Sequence, residues 1–422
     1  MAPTREVVIT GVGVVSPIGI GNEAFWTSLS KGRSGVRSLG LFNGYGDLPA
    51  TIGGEVLDFH PERYVRPRKS LKVMSRDIRL AFVAADLACS EAGFDSHPVD
   101  PERLGIVFGA DMISCDLNEL EEAYRGCMVN GKFDFTLWGE RALAEMYPLW
   151  MLKYLPNMPA CHIGIAHDAR GPNNSLTLGE VSSLSAIIEA MRVIERGQAD
   201  AMIAGGTSCR LYSAIWVRQK LYWPSQRSYD PAGASRPFDA DRDGMVHGEG
   251  SGVFILEDRR HAEARGAKIL ARILGHASMF EPRRSGEPLR GQAIRTAIRA
   301  ALEDAGLQPA DIGHVNADGL STRLDDEIEA QAIRDTLGDV PVTAPKSFFG
   351  NLSAGTGAVE MAASVLALQK GLVPPTLNYE RPDPDCPVNV IHGQPMANTL
   401  PTALVLNQSR IGQSVAMILA AC

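Results

Sequence analysis

Strands, glycine-rich loops and helices follow one another in the same order twice along this chain, and this repetition constrains the fold more than any other feature. In the first half, a Gly- and Ser-rich loop leads into a helix near residue 181, and a strand at 200–206 follows. In the second half, the loop 343–360 leads into a helix at 358–370. This alternation predicts an α/β fold built from two related halves. The other expected elements are strands at 7–15, 104–110, 269–275, 313–317, 403–407 and 415–420, and helices at 78–93, 291–306 and 325–337.

The loop at 171–183 (GPNNSLTLGEVSS) places an acidic side chain where the first of these helices begins. Apolar residues recur from there at three- and four-residue steps, as one buried helical face requires. They are Val181, Leu184, Ile187, Ile188, Met191 and Ile194. We therefore expect Glu180 at a helix N-terminus, where the helix dipole and unpaired amides favour a thiolate, a carboxylate or an oxyanion. The alternative is a helix cap whose carboxylate only satisfies those amides.

The overall composition argues against several classes of protein. The chain has 422 residues, 45% of them hydrophobic, which is enough for a large core in one domain or two fused domains. A net charge of −8 argues against general nucleic-acid binding. No apolar run reaches the roughly 18 residues of a membrane span, and the start of the chain lacks the charged and apolar regions of a secretory signal. Seven scattered cysteines without a CxxC pair predict a reduced, cytoplasmic protein.

Two short motifs suggest a ligand but fail on their spacing. A G-x-G at 11–13 follows the first strand, but Ser16 stands where a dinucleotide-binding loop needs its third glycine. Three aspartates at 239–243 match the opening of a calcium-binding loop. Its closing glutamate should fall at Gly250, and Glu249 comes one position too early. We therefore predict neither a dinucleotide site nor a metal site.

Residues 62–79 form a basic run in an otherwise acidic chain, with only Glu62 and Asp77 as acidic members. Its cations are Arg63, Arg66, Arg68, Lys69, Lys72, Arg76 and Arg79. One interpretation is a solvated helix face. The other is a docking surface for an acidic partner, whose approach the positive charge would steer.

The segment 111–160 mixes Met and aromatic residues with polar ones in no clear period. Its large aromatic residues are Trp138, Tyr147, Trp150 and Tyr154. They are consistent with the wall of a cavity or an interface, and core packing explains them equally well.

Four stretches together resemble the β-ketoacyl-ACP synthases, the elongating condensing enzymes of the thiolase superfamily. They are REVVITGVGVVSPIG (5–19), RGPNNSLTLGEVSSLSAI (170–187) with AMIAGG (201–206), RPFDADRDGMVHGEGSGVFILE (236–257), and VNADGLSTRLDDEIEAQAI (315–333) with KSFFGNLSAGTGAVE (346–360). The resemblance implies a thiolase-like αβαβα five-layer fold and an obligate dimer. The two halves would be 1–258, with insertions that include 111–160, and 259–422.

In that family, a cysteine at the tip of the central helix accepts the acyl group from a thioester. Two histidines on two loops assist decarboxylation of malonyl-ACP and stabilise charge on the thioester oxygen. In this chain the matching positions are Glu180, Asp318 and Asn351, while Lys346 and Glu360 match two supporting residues that the family also has. The resemblance therefore implies that all three reacting groups are replaced.

The resemblance also implies how ligands and partners would be held. The ligand is an acyl-phosphopantetheine thioester on a carrier protein, with no other cofactor, and contacts to it are expected from Ser321 and Thr322. The carrier protein would dock on Arg63, Arg66, Arg68, Lys69 and Lys72. The family's C-terminal gate of Gly and Phe reads NQSRIGQSV (407–415) here, with Ser409 and Arg410 among the departures.

These replacements argue against ordinary condensation. A carboxylate is a weaker nucleophile than a thiolate, and its acyl adduct would be a mixed anhydride open to hydrolysis. Asp318 would repel a malonyl carboxylate by roughly 4 kcal/mol at 4 Å and an effective dielectric of about 20. His314 lies four positions earlier, about 13 Å away along a strand. Cys161 precedes the central loop by too many residues to reach the helix tip.

Three functions remain open. The first is a non-condensing subunit similar to the chain-length factors, which pair with an active synthase and shape a shared acyl tunnel; those factors commonly carry Gln where this chain has Glu180. The second is an enzyme that uses Glu180 and Asp318 as acid and base on an acyl-thioester, for hydrolysis, acyl transfer or dehydration. The third is a homodimer that binds acyl-ACP without chemistry. The expected partners are an acyl carrier protein and either an active ketosynthase subunit or a second copy of this chain.

Overall fold

The computed structural model describes residues 5–40, 52–216, 223–282 and 289–422. Residues 1–4, the start of the segment considered as a secretory signal, lie outside these ranges, as do 217–222 in the stretch before Arg236. The strands are Val7–Ser16 (β1), Gly19–Ile20 (β2), Val36–Ser38 (β3), Ile52–Gly54 (β4), Leu104–Ala110 (β5), Met128–Val129 (β6), Lys132–Phe133 (β7), Asn173–Leu176 (β8), Ala201–Cys209 (β9), His247–Asp258 (β10), Ala271–Phe280 (β11), His314–Asn316 (β12), Pro341–Thr343 (β13), Leu372–Val373 (β14), Asn389–Val390 (β15), Met396–Ala397 (β16), Thr402–Gln408 (β17) and Gln413–Ala420 (β18). The helices are Asn22–Ser30 (α1), Arg76–Glu91 (α2), Glu121–Gly126 (α3), Trp138–Glu145 (α4), Met158–Ala166 (α5), Ser182–Glu195 (α6), Ser213–Trp216 (α7), Arg259–Ala264 (α8), Gln292–Ala305 (α9), Arg323–Leu337 (α10), Lys346–Phe349 (α11) and Thr356–Lys370 (α12).

Two half-sheets meet along β1. On one side the order is β1, β10, β9, β5 and β8, in which β9, β5 and β8 are parallel and β10 is antiparallel to both of its neighbours. On the other side β1 pairs with β11 through Val8 and Ile9, and the order continues β18, β17, β12, β13 and β15. β1, β9 and β10 are buried along their whole length. Strands of this kind require cover on both faces of the sheet.

The helices provide that cover in three layers. α6 and α12 lie together between the two half-sheets, with α6 on β5 and β9 and α12 on β10 and β17. α2 and α5 cover the outer face of the first half-sheet. α9 and α10 cover the outer face of the second. The order is therefore α, β, α, β, α, and the predicted five-layer fold from two related halves is confirmed.

Glycines let both central helices begin against the strands. A Cβ on Gly109 in β5 would lie 2.6 Å from the backbone carbon of Ser182, and a Cβ on Gly252 in β10 would lie 2.6 Å from that of Ala358. Neither space admits a side chain without movement of a backbone. The two helix starts, where the sequence predicted chemistry, are thus fixed against the sheet by equivalent contacts.

The segment 111–160 consists of short elements. It contains α3, α4, the short hairpin β6–β7 and turns of 3-10 helix. The Trp138 ring packs on Tyr124 and Phe133, with centroids 5.0 and 6.3 Å apart, and Trp150 packs on Tyr154 at 5.0 Å. These rings form small clusters within the segment because its helices are too short to bury a continuous apolar face. Among the described residues, no helix is long and apolar enough to cross a membrane.

Candidate active site

The three positions matched to the reacting groups lie on loops at the ends of the central elements. Glu180 is in a 3-10 turn, Gly179–Val181, directly before α6. Asp318 follows β12, and Asn351 lies between α11 and α12. Glu180 and Asp318 line the same cavity, which has a volume of about 30 Å³. Such a volume holds one or two waters and no acyl chain.

Asp318 is held by a buried lysine. Lys346 Nζ lies 2.8 Å from Asp318 Oδ1 and 3.3 Å from Glu360 Oε1, and it also donates to the Asp318 carbonyl oxygen. The Asn407 amide donates to the same Asp318 oxygen at 2.9 Å. Glu329 accepts the backbone N–H groups of Asp318 and Gly319, each at 2.8 Å. The predicted site residues Asp318, Lys346 and Glu360 are therefore brought together.

Burial and charge act in opposite directions in this cluster. Burial lowers the pKa of Lys346, but the carboxylates of Asp318 and Glu360 outweigh it and raise that pKa above its usual value. Burial raises the pKa of Glu360 and of Glu329, and the neighbouring carboxylate of Asp318 adds to both. These carboxylates therefore hold Lys346 as a cation, while burial opposes the charged form of the two glutamates.

Glu180 has a different cation. Arg210, which directly follows β9, places Nη2 3.5 Å from Glu180 Oε1 and 3.8 Å from Asp111 Oδ2. Burial raises the pKa of Glu180; Arg210 opposes this shift, and the carboxylates of Asp111 and Asp318 reinforce it. Within the described residues, α6 has no side-chain cap hydrogen bond. The cap position itself is held by Val181, so the interpretation of Glu180 as a helix cap stays a prediction.

The side-chain oxygen of Asn351 makes its hydrogen bonds within its own turn. Its side-chain oxygen accepts the backbone N–H of Ser353 at 2.8 Å and the hydroxyl of Thr356 at 3.2 Å, and its amide lies 3.7 Å from Met245 Sδ. It is not among the residues that line the cavity of Glu180 and Asp318. This side chain thus stabilises the start of α12 and does not face the other two positions.

Ser321 and Thr322 are also engaged within the chain. The Ser321 hydroxyl accepts the backbone N–H of Arg236 at 2.9 Å, and the Thr322 hydroxyl donates to Asp325 at 2.6 Å. Both residues are buried. Their contact with phosphopantetheine stays a prediction.

Two residues of the C-terminal loop stand at the cavity mouth. Ser409 and Arg410 line the cavity with Glu180 and Asp318. The Arg410 guanidinium lies 4.2 Å from the centroid of the Trp223 ring, within cation–π distance. A charged side chain therefore lies at this end of the cavity.

Sulfur and imidazole are absent from this cavity as far as the described residues go. Cys161 lies in α5, on the outer face of the first half-sheet. His314 is buried in β12, and burial lowers its pKa to about 4. His247 is buried beside Trp216, and burial lowers its pKa to about 3. These histidines are neutral structural residues at physiological pH.

The basic run divides into two groups. Arg76 pairs with buried Glu249 at 2.6 Å, and Arg79 donates to the backbone oxygen of Leu71 at 3.1 Å. Asp77 is buried and accepts from the Tyr212 hydroxyl and the Cys209 amide, so it does not neutralise the surface. The other five cations are exposed: Arg63, Arg66, Arg68, Lys69 and Lys72. We call these five side chains the basic patch.

The segment 111–160 exposes a concentration of apolar side chains. Leu143 is 88% exposed and Phe135 75% exposed. Others with at least two fifths of their surface exposed are Met112, Leu117, Tyr124, Met128, Val129, Phe133, Tyr147, Leu149 and Met151. A cavity of about 760 Å³ separates this segment from residues 209–216. Exposed apolar side chains in such number are typical of interaction surfaces.

Some residues of the site were not predicted in the sequence analysis. Arg210, Asp111 and Ser353 form the surroundings of Glu180, and Asn407 binds Asp318. One signal was present: Arg210 is a charged residue that directly ends the run of small and apolar residues of β9. Among the described residues, no group of three or more His, Cys, Asp or Glu side chains is placed to hold a metal ion.

Comparison with known families covers both halves of the chain. The model of the beta-ketoacyl synthase N-terminal domain matches residues 4–262, and the model of the C-terminal domain matches residues 270–380. The 3-oxoacyl-[acyl-carrier-protein] synthase 2 of Synechocystis sp. is 34% identical over 409 residues, which cover 95% of this chain and 94% of that protein.

Solved structures match over nearly the full length as well. One is a type II polyketide synthase acyl carrier protein in complex with its ketosynthase bound to the hexaketide (AntDE:AntF), with a TM-score of 0.86, 28% identity and coverage of 99% of this chain and 100% of that chain. Another is the ishigamide ketosynthase/chain length factor, with a TM-score of 0.87, 26% identity and the same coverage.

Proposed function

The chain belongs to the β-ketoacyl synthase family and has its thiolase-like fold, and we propose that it is a non-condensing subunit, similar to a chain-length factor, that pairs with an active ketosynthase. One observation carries this proposal. At the tip of the central helix, where the family has its nucleophilic cysteine, Glu180 lies largely buried beside Arg210 in a cavity with room for only one or two waters.

The surroundings of Asp318 support the same conclusion. A histidine at this position would help to remove the malonyl carboxylate, whereas Asp318 is a carboxylate bound to Lys346 and Asn407. Because a carboxylate only accepts hydrogen bonds, it offers no donor to a thioester oxygen. Asn351 has a donor, but its amide faces Met245. The site therefore lacks the side chains that would assist decarboxylation and stabilise an oxyanion.

The exposed surfaces favour a partner of the same fold. Among the described residues, β8 pairs with β5 on one side and has no partner on the other, so that edge is open for pairing. The apolar side chains of segment 111–160 are close to it in sequence and need cover. A ketosynthase subunit offers an equivalent edge and would supply the missing nucleophile. The ishigamide ketosynthase/chain length factor provides a precedent for such a pair.

We propose an acyl carrier protein as the second partner, docked on the basic patch. Its five cations have no ion pair among the described residues, and carrier proteins are acidic. A related ketosynthase has been solved with its carrier protein. The carrier would deliver its acyl-phosphopantetheine to the active subunit of the pair.

Co-expression with a ketosynthase encoded beside this chain tests the proposal. We expect the chain alone to form no β-keto product from malonyl-ACP and acyl-ACP, and the co-purified pair to form one. Glu180→Gln in the pair should leave product formation unchanged, because this side chain is not a nucleophile. If the chain alone joins malonyl and acyl units, the proposal is wrong. A homodimer with bound lipid that ignores every neighbouring synthase would instead indicate an acyl-binding protein.

A second candidate function rests on the two carboxylates of the small cavity. Glu180 and Asp318 both line it, and burial raises the pKa of Glu180, so one carboxyl could hold a proton while the other accepts one. Hydrolysis, acyl transfer or dehydration of an acyl-thioester would follow. Turnover of acyl-ACP by the chain alone that is lost in Glu180→Gln would favour this function over the first.

A further inference from the structure

Arg210 is the centre of a buried polar cluster that the sequence analysis did not identify. Its Nη2 lies 3.0 Å from the Ser353 hydroxyl oxygen, 3.5 Å from Glu180 Oε1 and 3.8 Å from Asp111 Oδ2. Ser353 in turn donates its hydroxyl to Asp111. The side chain of Arg210 is only 8% exposed. The side chain of Glu180 is 12% exposed and that of Asp111 26%, so the cation and one carboxylate have little access to solvent and the second carboxylate lies nearer to it.

Four separate parts of the fold supply these side chains. Asp111 directly follows β5 and Arg210 directly follows β9, and the two strands are parallel neighbours paired as far as Ala110 and Thr207. Glu180 precedes α6, and Ser353 begins the turn before α12. The cluster thus ties the carboxyl ends of two strands to the starts of both central helices.

This cluster lies where two cavities approach each other. Glu180 lines the small cavity that it shares with Asp318. Cys209 and Leu211, the neighbours of Arg210 in the chain, line the cavity of about 760 Å³ beside segment 111–160. The side chain of Arg210 points instead to Glu180. Charged groups therefore form the wall between the two cavities at this place.

A wall of this kind resists an alkyl chain. To pass from position 180 into the large cavity, the chain would have to separate Arg210 from Glu180 and Asp111. It has no polar atoms to replace the lost contacts, so the charges would stay buried and unpaired. The penalty for that separation keeps the passage shut.

We propose that Glu180, Arg210, Asp111 and Ser353 form an ionic plug that closes the small cavity toward the large one, so that no acyl chain passes through this subunit's own pocket. The proposed plug goes beyond the loss of the nucleophile. Even with a thiol restored at position 180, the passage from the small cavity to the large one would stay closed. It concerns the chain by itself and holds whichever partner the chain takes.

Photolabelling with dodecanoate that carries a diazirine at its terminal carbon tests the plug. The purified chain, or its complex with the subunit that co-purifies with it, is irradiated with this probe, and mass spectrometry locates the labelled peptides. In the wild type we expect little label on the peptide that contains Glu180. In Arg210→Ala combined with Asp111→Gly we expect that label to rise at least tenfold, because the passage is open.

Three further variants serve as controls. Arg236→Ala removes another buried arginine, paired with Asp239 and Glu380 away from both cavities, and should leave the labelling as in the wild type. Arg210→Lys keeps the charge and should also keep the plug. Arg210→Met removes the charge at nearly constant size and should increase the label several-fold even if the double variant does not fold. Strong labelling of the Glu180 peptide in the wild type, or no increase in any folded variant without a charge at position 210, overturns the proposal.

Discussion

At the level of single residues, the proposed function places a charged side chain, rather than a reactive thiol, at the tip of the central helix. A thiolate at a helix N-terminus is a strong nucleophile because the amides stabilise its charge. Glu180 lies at the start of α6, burial raises its pKa, and its ion-pair partner is Arg210. On the proposed function, this side chain keeps a polar group at the helix start but cannot carry an acyl chain as a thiolate would.

The buried Lys346, which contacts Asp318 and Glu360, is predicted to be essential for stability. In Lys346→Met the carboxylates of Asp318 and Glu360 lose their cation, and a broken buried ion pair costs about 3–5 kcal/mol. Urea denaturation should show a loss of that size. Lys370→Met, at an exposed position on α12, should change stability by no more than about 0.5 kcal/mol. If both variants lose equally little, Lys346 is not the counter-ion of this cluster.

The buried carboxyl of Asp77 predicts a specific pH dependence. Burial raises its pKa to about 7, against the hydrogen bonds from Tyr212 and the Cys209 amide, while the unfolded value is about 3.9. The folded state therefore binds the proton more tightly, so this contribution to stability is complete below about pH 4 and is lost as the pH rises through 7.

Asp77→Asn has no such titration and should flatten the fall of stability between pH 5 and 7, by up to about 1.4 kcal/mol per pH unit. Urea midpoints measured at pH 5, 6, 7 and 8 give the slope. Asp95→Asn, at an exposed position, should keep the wild-type slope. Parallel profiles for the wild type and Asp77→Asn would contradict this assignment.

The sequence located some of the site residues but not the ones around them. Glu180 and Asp318 were predicted to share one pocket, and the structure places both at one cavity. Arg210 and Asp111 were not predicted, since their meeting depends on two strands far apart in sequence that end side by side. A contact of this kind leaves no period or spacing in the chain. The orientation of Asn351 away from the cavity is likewise a property of its turn.

At the level of elements, the two central helices depend on glycine contacts with the sheet. In Gly252→Ala the added Cβ would lie 2.6 Å from the backbone of Ala358, so α12 must move away from β10. We expect a loss of about 1–3 kcal/mol in the free energy of unfolding, as for other overpacked cores. Gly109→Ala should have a similar effect on the start of α6.

Gly139→Ala is the matched control for these glycine variants. This residue lies in α4, and a Cβ would meet no atom within 4 Å. Because alanine favours a helix over glycine by about 1 kcal/mol, the variant should be neutral or slightly more stable. Thermal or urea unfolding of all three variants provides the comparison. A loss for Gly139→Ala as large as that for Gly252→Ala would contradict the role of close approach.

Elements with a strong period were predictable and the others were not. α6 has the apolar steps that the sequence showed, and β5 has the predicted bounds. β11 starts two residues later than expected. It continues to Phe280 because its pairing with β18 extends that far, where Phe280 lies opposite Gln413. In the segment 111–160, many apolar side chains are exposed and do not form one buried helical face. For this reason no apolar period in the sequence marks its helices. The division of the chain at 258/259 stays a prediction.

At the level of the whole molecule, charge is distributed unevenly. The net charge is −8, yet the basic patch collects five exposed cations within ten residues, 63–72. A local positive field on a negative protein attracts an acidic partner to one place and repels it elsewhere. This contrast would set the orientation of a docked carrier protein. The local charge is therefore more informative about docking than the net charge.

Charge reversal within the patch tests carrier docking. Arg68→Glu combined with Lys69→Glu should weaken binding of an acyl carrier protein about tenfold at low salt, mainly through a slower association, because the steering field is reversed. Lys268→Glu combined with Lys370→Glu makes the same change in net charge at exposed positions outside the patch and should have a much smaller effect. Surface plasmon resonance against immobilised carrier protein gives both rates. The difference between the two variants should shrink as salt rises toward about 1 M, where the screening length falls to about 3 Å. Equal weakening by both pairs would show that net charge alone matters, and no weakening by either would leave the patch as a solvated face.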